Sequence, residues 1–434
     1  MRFLLLLLPS VALAAPLSLD DALRMARQHH PNLALAQAQI AVARARLEES
    51  RAGFFPGITG TFSYQPQTAN FAPTPGFLRA LKSSASSTSS LPPPDYTPYS
   101  YWVGALGIYW TAFDWGKTAY GFVSARSTVE AQGLSAQATL QQIELDVKVA
   151  FYEAMAARAS VDVARDALTT QQRHAAQARA FYEVGTRTRI DVASADSDVA
   201  AAELTVARAH GALEAADAAL AAAIGLDEWK PFELVAPPPP ADAPAPEQSA
   251  LFDEALRSRP EPKELTLRAR SMVEQWRSAR GQFLPALIIQ AGPNWSGTDI
   301  SSLATNLQVT ASLSFPIFGM NPYLVYEQMR EAKANELTFL AQERQIRNSI
   351  RLETANARAA LDSARESVVA ARKLVEAARV RRDLAEGRYK EGVGNIIELS
   401  DAELAFVNAR FQEVRANFDL AEADARLIHA LGRR

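Results

Sequence analysis

Two segments of this chain are too long and too regular in their apolar spacing to be helices of an ordinary globular domain. No proline occurs from Lys117 to Val184, and none from Leu324 to Tyr389. At ~1.5 Å per residue each stretch spans about 100 Å as a helix, and a periodic pattern of that length argues for a coiled coil. In the first stretch Ile143, Val147, Ala150, Ala154, Ala157, Val161, Ala164, Leu168, Gln171, Ala175, Ala178 and Tyr182 keep a strict 4-3 spacing. The chain then returns with Val192, Ala195, Val199, Ala202, Val206, Ala209, Leu213, Ala216 and Leu220. The second stretch repeats the seam with Ile350, Ala357, Leu361, Ala364, Val368, Ala371, Val375, Ala378, Ala385 and Tyr389, with Thr354 and Arg382 as departures. Sustained heptads imply left-handed supercoiling, and so many alanines let the helices approach closely. The runs stop at Gly185 and at Gly392-Val393-Gly394, so each reads as a helical hairpin with its tip near 185 or near 392.

The two hairpins belong to a duplicated chain. Ala22-Leu23 heads a segment ending in Arg51-Ala52-Gly53-Phe54-Phe55-Pro56, and Ala255-Leu256 heads one ending in Arg280-Gly281-Gln282-Phe283-Leu284-Pro285. Trp110-Thr111-Ala112-Phe113-Asp114 is echoed by Phe315-Pro316-Ile317-Phe318-Gly319, and Tyr182-Glu183-Val184-Gly185 by Tyr389-Lys390-Glu391-Gly392. Gly392 lies 207 residues after Gly185, and Gly432 lies the same distance after Gly225. The expected repeats are residues 15–225 and 251–434, each reading helix, strand, strand, long helix, break, helix. Segment 226–250, with Pro237-Pro238-Pro239-Pro240 and Ala-Pro steps to Pro246, reads as an extended linker. Residues 1–14, a basic start, an apolar run and Ala12-Leu13-Ala14, read as a secretory signal peptide. No other segment has the ~18–20 uninterrupted apolar residues of a membrane helix.

Four strands are expected, at about 57–66, 100–113, 286–295 and 305–316. Residues 307–315 alternate Leu307, Val309, Ala311, Leu313 and Phe315 with Gln308, Thr310, Ser312 and Ser314. Ile58, Phe62 and Tyr64 alternate with Thr59, Thr61, Ser63 and Gln65, and Trp102, Leu106, Ile108 and Trp110 share a face. Period two marks a strand. Membrane strands show it with the apolar face toward lipid, and a half-buried soluble sheet shows it equally. Four strands cannot close around a water-filled lumen, so a membrane barrel would have to be shared by several chains. Residues 71–98, rich in Ser, Thr and Pro, read as a long exposed loop.

Composition removes several classes of function. The net charge is −3, without the basic footprint of a nucleic-acid binder. There is no cysteine, hence no disulfide, thiolate metal site, cysteine nucleophile or lipidated cysteine, and five scattered histidines form no metal cluster. Gly116-Lys117-Thr118 lacks the earlier glycine of a phosphate loop, since Thr111 stands there. His29-His30 has no zinc-protease spacing, and no Gly-x-Ser-x-Gly elbow occurs. Neither an enzyme nor a cofactor is expected.

Duplicated helix–strand–strand–helix halves, a signal peptide and long coiled-coil hairpins resemble the TolC-like outer-membrane efflux proteins. The most specific residues are Tyr182-Glu183-Val184-Gly185-Thr186-Arg187-Thr188-Arg189-Ile190-Asp191-Val192, which resemble that family's hairpin-tip motif. Phe113-Asp114-Trp115-Gly116-Lys117 and Phe315-Pro316-Ile317-Phe318 are similar to its strand-to-helix junctions. The resemblance implies a mainly helical fold with a small β part. It implies a homotrimer whose shared 12-stranded barrel lies in outer-membrane lipid and is continued by a helical tunnel across the periplasm. The expected function is the exit duct of a tripartite efflux or type I secretion system. Its partners would be a periplasmic adaptor and, through it, an inner-membrane pump. Tyr182, Arg187 and Asp191 fall on the family's periplasmic gate, joined in the second half by Tyr389, Glu398 and Asp401. Gly394 matches Arg187, so a weaker or differently built lock is expected at the second tip, and Ser194 departs from the carboxylate pattern. The resemblance makes Val184, Gly185, Thr186, Gly392, Val393 and Gly394 the adaptor contact, although glycine also simply stops helices. The competing class is a non-conducting periplasmic coiled-coil scaffold or adaptor.

Overall fold

The computed structural model describes residues 16–68, 98–227, 231–237, 247–315 and 321–433. The expected signal peptide, nearly all of loop 71–98, the proline-rich centre of the linker and Phe318 lie outside the described residues. The order of elements is α1 (Leu19–His29), α2 (Pro31–Ala52), β1 (Gly57–Thr68), β2 (Pro98–Phe113), α3 (Lys117–Glu183), α4 (Arg189–Ile224), α5 (Gln248–Ser258), α6 (Glu261–Gly281), β3 (Ala286–Gly297), β4 (Ala304–Ser314), α7 (Pro322–Lys390) and α8 (Ile396–Ala430). A short 3-10 turn, Ile300–Ser302, joins β3 to β4. These elements fall into two compact units. One holds Met1–Ala41, Glu130–Thr266 and Leu340–Arg434, and the other holds Val42–Val129 and Leu267–Phe339.

In the first unit the counted seams are the core. Ile143, Val147, Ala150, Ala154, Val161, Ala164, Ala175 and Ala178 of α3 are buried, as are Ala195, Ala202 and Leu220 of α4. On α7 Ile350, Ala357, Leu361, Ala364, Val368, Ala371, Ala378, Ala385 and Tyr389 are buried. Thr354, polar at a seam position, is buried as well. Its Oγ1 donates to the Ile350 carbonyl at 2.7 Å, so no buried polar atom is left unpaired there. Tyr182 departs from the pattern: it is 47% exposed, because α3 ends one residue later.

The expected single helix at the head of each half is two helices. The reason is proline: the ring of Pro31 or Pro260 excludes the residue before it from the α region. His30 (ψ 125) and Arg259 (ψ 138) are accordingly extended. The breaks receive the ends of the returning helices. Gly225 (φ 85) closes α4 beside His30 and Pro31, and Gly432 (φ 68) follows α8 beside Arg259. A Cβ on Gly225 would come within 2.9 Å of the His30 Cα, so only glycine combines this backbone with this approach. Arg259 is buried between two carboxylates, Glu261 at 2.6 Å and Glu353 at 2.5 Å, and ties the α5–α6 break to α7.

The second unit holds a single antiparallel sheet in the order β1-β2-β3-β4. Its register aligns the two faces across all four strands. Ile58 pairs with Ile108, Tyr64 with Trp102, Trp110 with Ile289, Ala291 with Val309 and Leu287 with Leu313. The intervening pairs are Thr61 with Ala105, Gln290 with Thr310 and Ile288 with Ser312. Since directly opposed residues share a face, one face is largely apolar, with Ser100 and Thr305 as exceptions, and the other is largely polar. The apolar face is uncovered among the described residues: Ile58 is 78% exposed and Leu307 81%. Gly104 makes room on it for the rings of Phe62 and Trp295. After β2, Asp114 starts α3 by accepting the Gly116 and Thr118 amides at 3.1 and 2.9 Å, while Trp115 donates to the Pro285 carbonyl at 2.9 Å.

With this apolar face against lipid, as the resemblance implies, the two faces respond oppositely to charge. Val309→Arg should cost about 2–4 kcal/mol and cut the yield of folded protein recovered from outer membranes. Thr310→Arg, one residue on, should be recovered near the wild-type level. Equal losses would show that the apolar face does not meet lipid.

Candidate functional site

The residues expected to form a gate and a docking surface lie at the two hairpin tips, both within the first unit. Each tip turns on a glycine with positive φ, Gly185 (78°) and Gly392 (80°). In the first tip the Thr186 and Arg187 amides return to the Phe181 carbonyl at 3.0 and 3.3 Å. In the second, the Val393 and Gly394 amides return to the Arg388 carbonyl at 3.0 and 2.8 Å. These bonds satisfy carbonyls that a helix end leaves free. The returning helices are capped by different chemistry. The Asp191 carboxylate accepts the Thr188 amide at 3.1 Å, and Asn395 Oδ1 accepts the Glu398 amide at 2.7 Å.

Arg187 joins the two tips. Its Nη2 donates to the Tyr389 carbonyl at 3.1 Å and to the Gly394 carbonyl at 2.9 Å. Its guanidinium carbon stands 4.6 Å from the centre of the Tyr389 ring. The cation thus lies at the C-terminal end of α7, where the helix dipole favours positive charge, and on an aromatic face that attracts it. Tyr389 is wholly buried, with its ring centre 6.0 Å from that of Phe181. Burial raises the pKa of its phenol, with the Asp191 carboxylate adding to the rise and Arg187 opposing it. The phenolic oxygen has no hydrogen-bond partner among the described residues.

The two tyrosines, equivalent by repeat, therefore have unlike surroundings: Tyr389 is core and Tyr182 is surface. The second tip does lack an arginine of its own. The position where one would stand, Gly394, is the position Arg187 reaches. Asp191 is half-buried, whereas Glu398 and Asp401 are exposed. Glu398 pairs with Arg388 at 3.2 Å. Val184 and Val393 are about 70% exposed, and Ile190 and Ile397 are exposed beside them, so each tip carries bare apolar side chains next to its turn.

Sequence reasoning missed a second connection between the hairpins. His174 Nε2 of α3 lies 3.1 Å from Glu403 Oε1 of α8, with both side chains only 3% exposed. Ser400 also donates to Asp198 of α4 at 2.5 Å. His174 and Glu403 flank the small seam residues Ala175 and Ala402, and helical spacing alone marks neither as buried.

The chain belongs to the outer membrane efflux protein family, whose model matches residues 22–226 and 251–433. Among curated proteins none matches it in sequence. Its fold is that of solved channels. CusC, a former of transmembrane channels, has a TM-score of 0.80 and 17% identity, over 96% of this chain and 92% of CusC. The outer-membrane channel OprN has a TM-score of 0.78 and 20% identity, over 96% and 90% of the two chains. The Campylobacter jejuni CmeC outer membrane channel has a TM-score of 0.78 and 17% identity, over 95% and 85%. At these identities the likeness is one of fold. The protein is an outer-membrane efflux channel of mainly helical structure with a small antiparallel sheet.

Arg187→Ala should remove two charge-assisted hydrogen bonds and the ring contact, loosening the second tip by about 2–3 kcal/mol. Amide exchange in residues 389–395 should rise accordingly. Arg187→Lys should recover only part of the protection, because a point charge does not stack on a ring as a planar guanidinium does. Unchanged exchange in the alanine variant would contradict the bridge.

Proposed function

We propose that three copies of this chain form a passive exit duct through the outer membrane. The observation that carries this is a four-stranded sheet, apolar on one face and largely polar on the other, whose outer strands β1 and β4 have no second partner among the described residues. Three such sheets joined edge to edge make a 12-stranded barrel with a polar lumen, and their helical hairpins would line a periplasmic tunnel. Residues 15–225 and 251–434 are, on this reading, two structural repeats joined by linker 226–250, behind a cleaved segment 1–14. Energy would come from an inner-membrane pump through a periplasmic adaptor, in a tripartite efflux or type I secretion assembly.

The tips supply the gate. Arg187 holds the tip of the second hairpin beside that of the first, and Tyr389 fills the space beneath it. Tyr182, exposed at the end of α3, is left to meet a neighbouring copy. Asp191, Glu398 and Asp401 from three copies would form a negative collar, which focuses field in a narrow pore and favours cations. The exposed Val184 and Val393, with Gly185, Thr186, Gly392 and Gly394 at the turns, offer the adaptor a small-residue groove with an apolar rim.

Purified protein in a planar bilayer should give discrete, cation-selective openings, and Arg187→Ala should raise the conductance. Silence from both proteins, each folded and recovered from outer membranes, would reject the duct in favour of a non-conducting scaffold. Unchanged conductance in the variant alone would remove Arg187 from the gate.

A further inference from the structure

The two hairpins bury their seams alike and their outer faces unequally. Positions 207 residues apart are equivalent, as Gly185 and Gly392 are, and along the seams both members are buried: Ile143 with Ile350, Ala150 with Ala357, Val161 with Val368. Beyond its seam α3 also buries Val163 and His174, and α8 buries Glu403. Their equivalents, Ala370 and Arg381 on α7 and Asp196 on α4, are all exposed. The reason for the burial is that α3 and α8 cover each other. His174 meets Glu403 at 3.1 Å, and Asp166 meets Arg410 at 2.9 Å. The corresponding faces of α7 and α4 have no such cover among the described residues.

Those two bare faces match each other. At the 207-residue offset Asp166 corresponds to Lys373 and its partner Arg410 to Glu203, an ion pair with its charges exchanged. His174 corresponds to Arg381 and Glu403 to Asp196, again a cation against a carboxylate. Side-chain size is exchanged as well. Between the two contacts Ala167 of α3 shares a cleft with Phe406 and Val407 of α8. The equivalents are Leu374 on α7 and Val199 and Ala200 on α4, so the bulk moves from one helix to the other. Leu374 is 44% exposed, an apolar side chain in the middle of the bare face. Lys373, Arg381 and Glu203 form no ion pair among the described residues. Asp196 pairs with Arg179 of its own hairpin at 2.6 Å, and a carboxylate has acceptor sites for a second guanidinium.

We propose that the α7 face carrying Lys373, Leu374 and Arg381 packs on the α4 face carrying Glu203, Val199 and Asp196 of a second copy of this chain, repeating between copies the contact that α3 and α8 make within one. A chain with two unlike, complementary faces associates head to tail and closes into a ring when the rotation per copy allows it. The exchanged charges choose the helix. Packing α7 on a neighbour's α8 would bring Lys373 to Arg410, and packing α3 on a neighbour's α4 would bring Asp166 to Glu203. Like charges in contact penalise the wrong partner more than an exposed ion pair rewards the right one. The inference rests on the reading that several copies assemble, and adds the helical surface through which they meet.

Because the chain has no cysteine, thiols can be placed in pairs on the full-length protein in outer membranes. Lys373→Cys with Glu203→Cys, treated with a short bismaleimide, should give covalent species of two and three chains, and either single variant should give none. Arg381→Cys with Asp196→Cys should behave in the same way. Asp166→Cys with Arg410→Cys, the contact inside one chain, should give only an internally bridged single chain. In the Arg381→Cys, Asp196→Cys protein, Glu203→Lys should cut the three-chain yield by about fivefold, through a like-charge contact at each junction, and Lys373→Glu added to it should restore the yield. Copies that assemble in threes by native mass spectrometry yet bridge at neither pair overturn this surface and leave the duct standing. Bridged rings of three that stay silent in bilayers uphold the surface and reject the duct. A yield that ignores Glu203→Lys, or a loss that Lys373→Glu does not reverse, overturns the ion pairs.

Discussion

The sheet of this protein has two outer strands that find no second partner among the described residues. A strand at the edge of a sheet has a row of amide and carbonyl groups with no partner, and in hydrocarbon each such group costs several kcal/mol. Here β1 and β4 are those edges, and the face that runs between them is apolar from Ile58 through Ile108 and Ile289 to Val309. A soluble sheet of this kind would be covered by helices, yet Leu307, Val309 and Ile58 remain bare among the described residues. On the proposed reading lipid would cover the face and further copies of the same chain would pair the edges, so that oligomerisation would follow from backbone hydrogen bonding before any side-chain contact is considered.

The helices answer a different constraint. A coiled-coil seam lined with leucine would hold its helices apart and resist sliding. The seam of α3 and α7 is instead rich in alanine, which brings the backbones close while burying little apolar area per residue. Such a seam is thin in energy for its length, and specific polar contacts then weigh more. Arg187 over Tyr389, Arg259 between Glu261 and Glu353, and His174 against Glu403 each fix one level of the helical unit. A hairpin whose small-residue seam is supplemented by a few discrete polar contacts can change its arrangement by releasing those contacts.

Most of this was legible in the residues. Alternation marked β1, β2 and β4 within a few residues of their observed ends, because membrane and core faces demand a period of two, whereas the start of β3 read only as a short apolar run. The 4-3 spacing identified the buried seam, including the polar Thr354 as an exception that the Ile350 carbonyl resolves. The matched spacing of the glycines located both turns. What stayed hidden was contact between segments distant in sequence. Matching the repeats sets Arg187 against Gly394 as equivalent positions, and equivalence gave no hint that one side chain would reach the other's carbonyl. His174 and Glu403 look like ordinary polar neighbours of a seam until the third helix is in place. The split at Pro31 and Pro260 could have been read from proline's effect on the preceding residue.

Closure of the sheet by identical chains requires an assembly of fixed size. Native mass spectrometry of the protein extracted from outer membranes in mild detergent tests this most directly. The account predicts a single assembly of three copies, stable until the detergent is made denaturing. A monomer that keeps its β content in detergent would contradict it, because its strand edges would then need no partner.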